Sequence, residues 1–277
     1  MSHLPSYRRR YPYPVRLLAL PALRVLLGVP SSASAAAALL LKEVRPVPRI
    51  LHAENIPPAL PFVLALNHYD HPGLGAWWGA CLILKAVRGQ RTQAPQELRL
   101  LMTREWWYPG GWGRAVKQPL TRWFFGQLAR TYGFVLLPPV IGNHELRGQG
   151  TLAIRHALGL TRGNDPQLIG IAPEGRTGEN RSLCQPPPGT GLFLLMLTHG
   201  TVPCLPVGIY EDDDAALNAS FGAPFQLSVP CACSRRERDD EAARQVMVEI
   251  GKLLPECMWG VYGADIRKWS SSNGRNT

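Results

Sequence analysis

Acidic residues are scarce in this 277-residue chain: 20 Asp and Glu stand against 30 Lys and Arg, for a formal net charge of +10. Cysteine is also thin, at six positions with no Cys-x-x-Cys pair. Cys231 and Cys233 flank one alanine, too close for the usual ligand spacing of a metal site. The thiols read as free in a reducing compartment, and no metal is expected. Long hydrophobic runs are missing too. Residues 15–29 are apolar but interrupted by Arg16, Pro21 and Arg24, and 35–41 is short. Neither reaches the roughly 20 apolar residues that span a bilayer. There is no Gly-x-Ser-x-Gly elbow, no Gly-Lys-Ser/Thr phosphate loop and no His-Glu-x-x-His zinc motif. GGWG at 110–113 reads as a loop rather than a dinucleotide fingerprint, and the acidic run 211–214 as solvated.

The positive charge that is present is concentrated. Residues 1–49 hold eight Lys/Arg against Glu43, and residues 85–130 hold nine against Glu97 and Glu105. Clustered positive charge seeks an anionic surface. Six of the eight tryptophans (Trp77, Trp78, Trp106, Trp107, Trp112 and Trp123) lie in 77–123, among Arg104, Arg114, Lys117 and Arg122. Rings beside cations suit a membrane–water interface, although Trp77 and Trp78 read as core or as cover over an apolar pocket. No nucleic-acid-binding signature accompanies them, so no nucleic-acid partner is expected. The apolar 15–29 stretch, with Arg16 and Arg24 on nearly one helical face, reads first as an interfacial helix. An ordinary helix packed on the domain and a signal peptide remain as alternatives.

From residue 60 the pattern alternates: strands over 61–67, 98–103, 134–139, QLIGIA and its turn, 202–210 and 220–227, and helices over 73–87, 120–133, 150–163, 189–200 and 239–256. Glycines close several helices. The prediction is a single α/β domain over 46–267 with a mostly parallel sheet flanked by helices. An N-terminal membrane-associating segment of amphipathic helices precedes it at 1–45, and a disordered tail follows at 268–277. Chemical groups then belong at the strand ends. Two strand ends carry them: NHYDHPG at 67–73, and Ala172-Pro173-Glu174-Gly175-Arg176-Thr177, with a guanidinium suited to phosphate.

NHYDHPG, APEGRTGEN and LPVGIY resemble, in order and spacing, three of the four sequence blocks of the glycerolipid acyltransferases, the PlsC-like 1-acyl-sn-glycerol-3-phosphate acyltransferase family. PPPGTGLFLLML at 186–197 is similar to the helix after the second block, and the resemblance extends over roughly 45–265. It implies transfer of a fatty acyl group from acyl-CoA or acyl-carrier protein to a lysophosphatidate-like acceptor in phospholipid biosynthesis, without a bound cofactor. The implied setting is the cytoplasmic side of the cell membrane, on its phospholipid surface. It implies His68 as general base, since a histidine pKa lies near operating pH. Glu174, Gly175, Arg176 and Thr177 are implied for the substrate phosphate, and Pro206, Val207 and Gly208 for the acyl site. The chain departs from the family at the histidine block. The aspartate five residues after the histidine is Gly73 here, and the usual serine two after it is Asp70. Asp70, or a group from elsewhere such as Glu174, is expected to orient His68, or His71 to share its work. The alternative is a non-catalytic lipid- or phosphate-binding protein of the same fold. The arginine of the remaining block is replaced at Pro138 or Pro139, with Arg147 a candidate substitute.

Overall fold

The computed structural model describes residues 11, 13–108, 110–138, 147–163, 165–230 and 232–273, with backbone alone at 147–150 and 272–273. Its strands are β1 (Arg49–Leu51), β2 (Val63–Leu66), β3 (Arg99–Thr103), β4 (Val135–Leu137), β5 (Ile169–Ile171), β6 (Cys204–Glu211) and β7 (Leu217–Phe221). They form one seven-stranded sheet in the order β1-β7-β6-β2-β5-β3-β4. Every neighbouring pair is parallel except β6–β7. The helices are α1 (Val15–Leu27), α2 (Ala33–Leu41), α3 (Trp77–Gln90), α4 (Gln118–Tyr132), α5 (Arg147–Arg162), α6 (Thr190–Thr198), α7 (Arg235–Gly251) and α8 (Gly263–Asn273).

β2 is central, and all four of its residues are buried. A continuous apolar run of this kind is what a strand covered on both faces requires. α6 and α7 pack closely, and two residues explain how. Asp239 of α7 accepts hydrogen bonds from the Gly189 and Leu192 amides at 2.5 and 2.9 Å, capping the first turn of α6. A Cβ at Gly191 would stand 1.9 Å from the Asp239 carbonyl oxygen, so only glycine permits this approach.

The described part of the N-terminal segment is joined to the domain. Ser32 and Ser34 bond Glu97, and Tyr11, Ala33, Ala37, Leu41 and Val44 are buried in the common core. α1 packs on α4 and α2 on α3. The outer surface of α1 mixes exposed Leu20, Leu23, Leu26 and Leu27 with exposed Arg16 and Arg24. No described helix is long and apolar enough to cross a membrane. Of the tryptophan pair, Trp78 is core as expected, whereas Trp77 is exposed.

Several elements differ from the sequence expectation. The last strand is 217–221 rather than 220–227, because the buried Asn218 and Ser220 hide its apolar character. β1 is three residues between prolines and carries no readable pattern. α3 starts at Trp77, after a tight turn at 71–74. α8 carries the chain helically to Asn273, through much of the segment expected to be a tail; 274–277 lie outside the described residues.

Gly191→Ala should destabilise the fold by about 1–3 kcal/mol or more through overpacking, lowering Tm by about 2–4 °C per kcal/mol for a domain of this size. A thermal melt with unchanged Tm would show that α6 and α7 do not approach this closely.

Candidate active site

β2 lies between β5 and β6, parallel to both, so the carboxyl ends of the three strands open on one edge of the sheet. Each end delivers a polar group there. After β2 comes Asn67, whose buried carboxamide accepts from the Ile209 amide at 2.7 Å and donates to the Ile209 carbonyl at 2.9 Å. A side chain thus continues the ladder to β6 for one step beyond the strand and fixes the peptide that leads into His68.

After β5 comes the turn Ala172–Gly175, closed by a bond from the Gly175 amide to the Ala172 carbonyl at 3.1 Å. Gly175 sits at φ 63°, a left-handed value that glycine adopts freely. The turn directs Glu174 inward, where it is only 2% exposed. One carboxylate oxygen accepts the His68 amide at 2.9 Å and the other the Cys184 amide at 2.6 Å. Both oxygens therefore hold backbone, and Glu174 ties the histidine segment to the 182–184 segment. The resemblance places it on the substrate phosphate; in this structure it is buried and both its oxygens hold backbone. Burial pushes its carboxyl up to about 7, against the two amide donors that pull it down.

The His68 ring is part-buried, and its Nδ1 lies 2.8 Å from the Thr177 hydroxyl. Burial lowers its pKa below 6.5, with Asp70 opposing the shift, so the ring is neutral at pH 7. No described residue hydrogen-bonds Nε2. Asp70 stands 3.9 Å from Nδ1, beyond hydrogen-bond reach, and receives a bond from the Thr177 hydroxyl instead. Glu174 meets only the His68 backbone. Thr177, assigned by resemblance to the phosphate, thus has its hydroxyl between the ring and Asp70.

Gly73, where the family has its aspartate, sits in a turn from His71 to Leu74 closed by backbone bonds of 3.0 and 2.9 Å. Its φ is 100°, and Pro72-Gly73 fills the two central positions, the pattern of a type II turn. An aspartate there would strain the backbone.

His71 belongs to a second cluster that the sequence did not reveal. Its Nε2 lies 2.5 Å from Glu211 at the end of β6, and its Nδ1 meets the Pro72 carbonyl at 3.0 Å. Tyr69 and Tyr11 donate to the same carboxylate at 3.2 and 3.3 Å. With both ring nitrogens occupied, His71 is not available as a second base. Glu211 is mostly buried rather than part of a solvated acidic loop. It was findable by the logic that marked His68: it too is an ionisable residue at the end of a buried strand.

Arg176 is exposed, with its guanidinium close enough to the Cys184 thiol and the Glu174 carboxylate to act on both. It directly precedes Thr177, which touches the His68 ring. Pro206, Val207 and Gly208 are buried in β6; Val207 pairs with Leu66, and a Cβ at Gly208 would crowd Leu253. They shape the core strand beneath the site. Pro139 and the Arg147 side chain lie outside the described residues. Among the described residues no cluster of His, Cys, Asp and Glu could hold a metal.

No family model and no curated protein matches the chain. A solved structure does. The crystal structure of the 1-acyl-sn-glycerophosphate (LPA) acyltransferase PlsC from Thermotoga maritima matches over 93% of this chain and 91% of that one, at 16% identity and a TM-score of 0.45.

The raised Glu174 carboxyl has a consequence for stability. Its folded pKa, about 7, exceeds the ordinary value of 4.5, so the folded state holds the proton more tightly. Its contribution is complete below the ordinary carboxylate range and is lost as pH rises through 7. Between pH 5 and 8 it should amount to about 2–3 kcal/mol. Urea unfolding at the two pH values should show a smaller loss in Glu174→Gln than in wild type. Equal losses would contradict the shifted pKa.

Proposed function

We propose that this protein is an acyltransferase. It moves a fatty acyl group from acyl-CoA or acyl-carrier protein to the hydroxyl of a lysophosphatidate-like glycerolipid. The observation that carries this reading is a neutral, part-buried His68 whose Nε2 bonds no described residue, next to a strand-end turn that presents the exposed Arg176. A base near a cation is what a phosphorylated alcohol needs: the guanidinium holds the phosphate and the imidazole takes the hydroxyl proton. The alcohol oxygen then forms a bond to the thioester carbonyl carbon and the C–S bond breaks. The thiolate leaves with the proton held by His68. No metal or redox cofactor enters these steps.

A binding-only protein of the same fold is the second reading, because no carboxylate among the described residues hydrogen-bonds the His68 ring directly. Purified protein given labelled acyl-CoA or acyl-carrier protein and a panel of lysolipids separates the two. His68→Ala should lower turnover by about 100-fold or more, the scale of a lost general base, with the circular dichroism spectrum unchanged. Turnover equal to wild type in that variant, or lysolipid binding by wild type without thioester cleavage, would defeat the acyltransferase reading.

We further propose that the protein sits peripherally on the cytoplasmic face of the cell membrane. Leu20, Leu23 and Leu27 of α1, Leu120, Trp123 and Phe124 of α4, and Trp106, Trp107 and Trp112 are all exposed, with Trp112 at 84%. Arg114, Lys117, Arg122 and Arg130 accompany them in sequence. Rings and cations together favour anionic lipid. The protein should co-sediment with phosphatidylglycerol-containing vesicles, less so at high salt, and Trp112→Ala should weaken the association. Failure to co-sediment at low salt would remove the proposal.

A further inference from the structure

We propose that Thr177 is a positioning residue that couples Asp70 to His68, doing through one hydroxyl what a carboxylate bonded to the ring would do directly. The inference rests on the acyltransferase reading for its kinetic consequence, but not for its geometry. Asp70 Oδ1 and His68 Nδ1 are 3.9 Å apart, too far for a hydrogen bond. The Thr177 hydroxyl oxygen lies between them, 2.8 Å from Nδ1 and bonded to Oδ1.

Proton counting fixes the direction of both bonds. A carboxylate only accepts, and a hydroxyl has one hydrogen to give. The Thr177 hydrogen is directed to Asp70, so its oxygen has only lone pairs left for the ring. Nδ1 must therefore carry a hydrogen and donate it, and the unshared pair of the neutral imidazole is placed on Nε2. That is the nitrogen no described residue engages. The chain of bonds selects the tautomer that leaves Nε2 free to accept a proton. When Nε2 gains one, the positive ring faces an oxygen polarised by Asp70, and bonds in such a chain reinforce one another.

The placement follows from the backbone. Gly73 sits in a turn that disfavours an aspartate, while Thr177 comes three residues after Glu174, whose carboxylate holds the His68 amide at 2.9 Å. One strand-end turn thus fixes the histidine's backbone and supplies the hydroxyl for its ring. Asp70 and Thr177 come from different segments, 107 residues apart, and meet only in the folded protein.

Two measurements test this. The first needs no activity: nitrogen-15 spectra of the His68 ring above its pKa should show the Nδ1–H tautomer in wild type and Thr177→Ser, and a mixture in Thr177→Val. A wild-type ring with its hydrogen on Nε2 would overturn the relay, and this reading stands even if Thr177→Val does not fold. The second is kinetic. Thr177→Val should lower kcat by about 10- to 100-fold, the usual scale for losing a group that orients a first contact, with KM little changed, and Thr177→Ser should restore most of it. Asp70→Asn combined with Thr177→Val should be no worse than the more damaging single change, since both break one chain. Independent, multiplying losses would overturn the coupling. If wild type transfers no acyl group while its spectra show the Nδ1–H tautomer, the acyltransferase reading fails and the relay geometry stands.

Discussion

The site depends on one buried carboxylate. Glu174 accepts one backbone amide from the histidine segment and one from the segment at Cys184, so three pieces of chain are located by a single side chain. Burying a carboxylate is costly unless its oxygens are satisfied, and here two amide donors satisfy them while burial still raises its pKa. Much else is arranged around this junction. The positive φ of Gly175 lets the turn double back, and Leu183 beside it is pinned by bonds to Met258 and Val261 from the C-terminal region. Removing Glu174 would release the His68 segment and the Cys184 segment together.

Two clusters share the histidine segment and divide its labour. His68 and Asp70 meet Thr177, while Tyr69 and His71 meet Glu211 and, through it, Tyr11. Alternate residues of an extended chain point to opposite sides, which accounts for the separation. The first cluster leaves a ring nitrogen unengaged. The second uses both nitrogens of His71, and so anchors the segment without competing for a substrate proton. The Pro72-Gly73 turn then closes the segment. A chain that bends this tightly at 73 holds the carboxylate nearer the histidine, at 70, with a hydroxyl to complete the reach.

The fold was legible wherever burial and chain order carry the information. β2, β5 and β6 are runs of apolar residues ending in polar ones, and their parallel order brings His68 and the Glu174 turn to one edge, as the alternation of elements implied. Groups joined across long separations were not legible: Glu211 and Tyr11 are 200 residues apart, and neither has a neighbour in sequence that signals the other. The roles within APEGRT were blurred for a different reason. Sequence shows that Glu174, Arg176 and Thr177 gather at a strand end, but only side-chain direction distinguishes a buried fastening, an exposed guanidinium and a hydroxyl wedged against an imidazole. β7 was misplaced because Asn218 and Ser220 are polar yet buried, with Asn218 bonding the Ala216 carbonyl of its own segment.

The central claim is that neutral His68 acts as the base, and the pH dependence of kcat/KM for acyl transfer by the wild-type protein tests it most directly. Burial lowers the His68 pKa, so the account predicts a rate that falls on acidification along a limb whose midpoint lies below 6.5. A rate unaffected by acidification while the protein remains folded, or a limb centred well above 6.5, would contradict it.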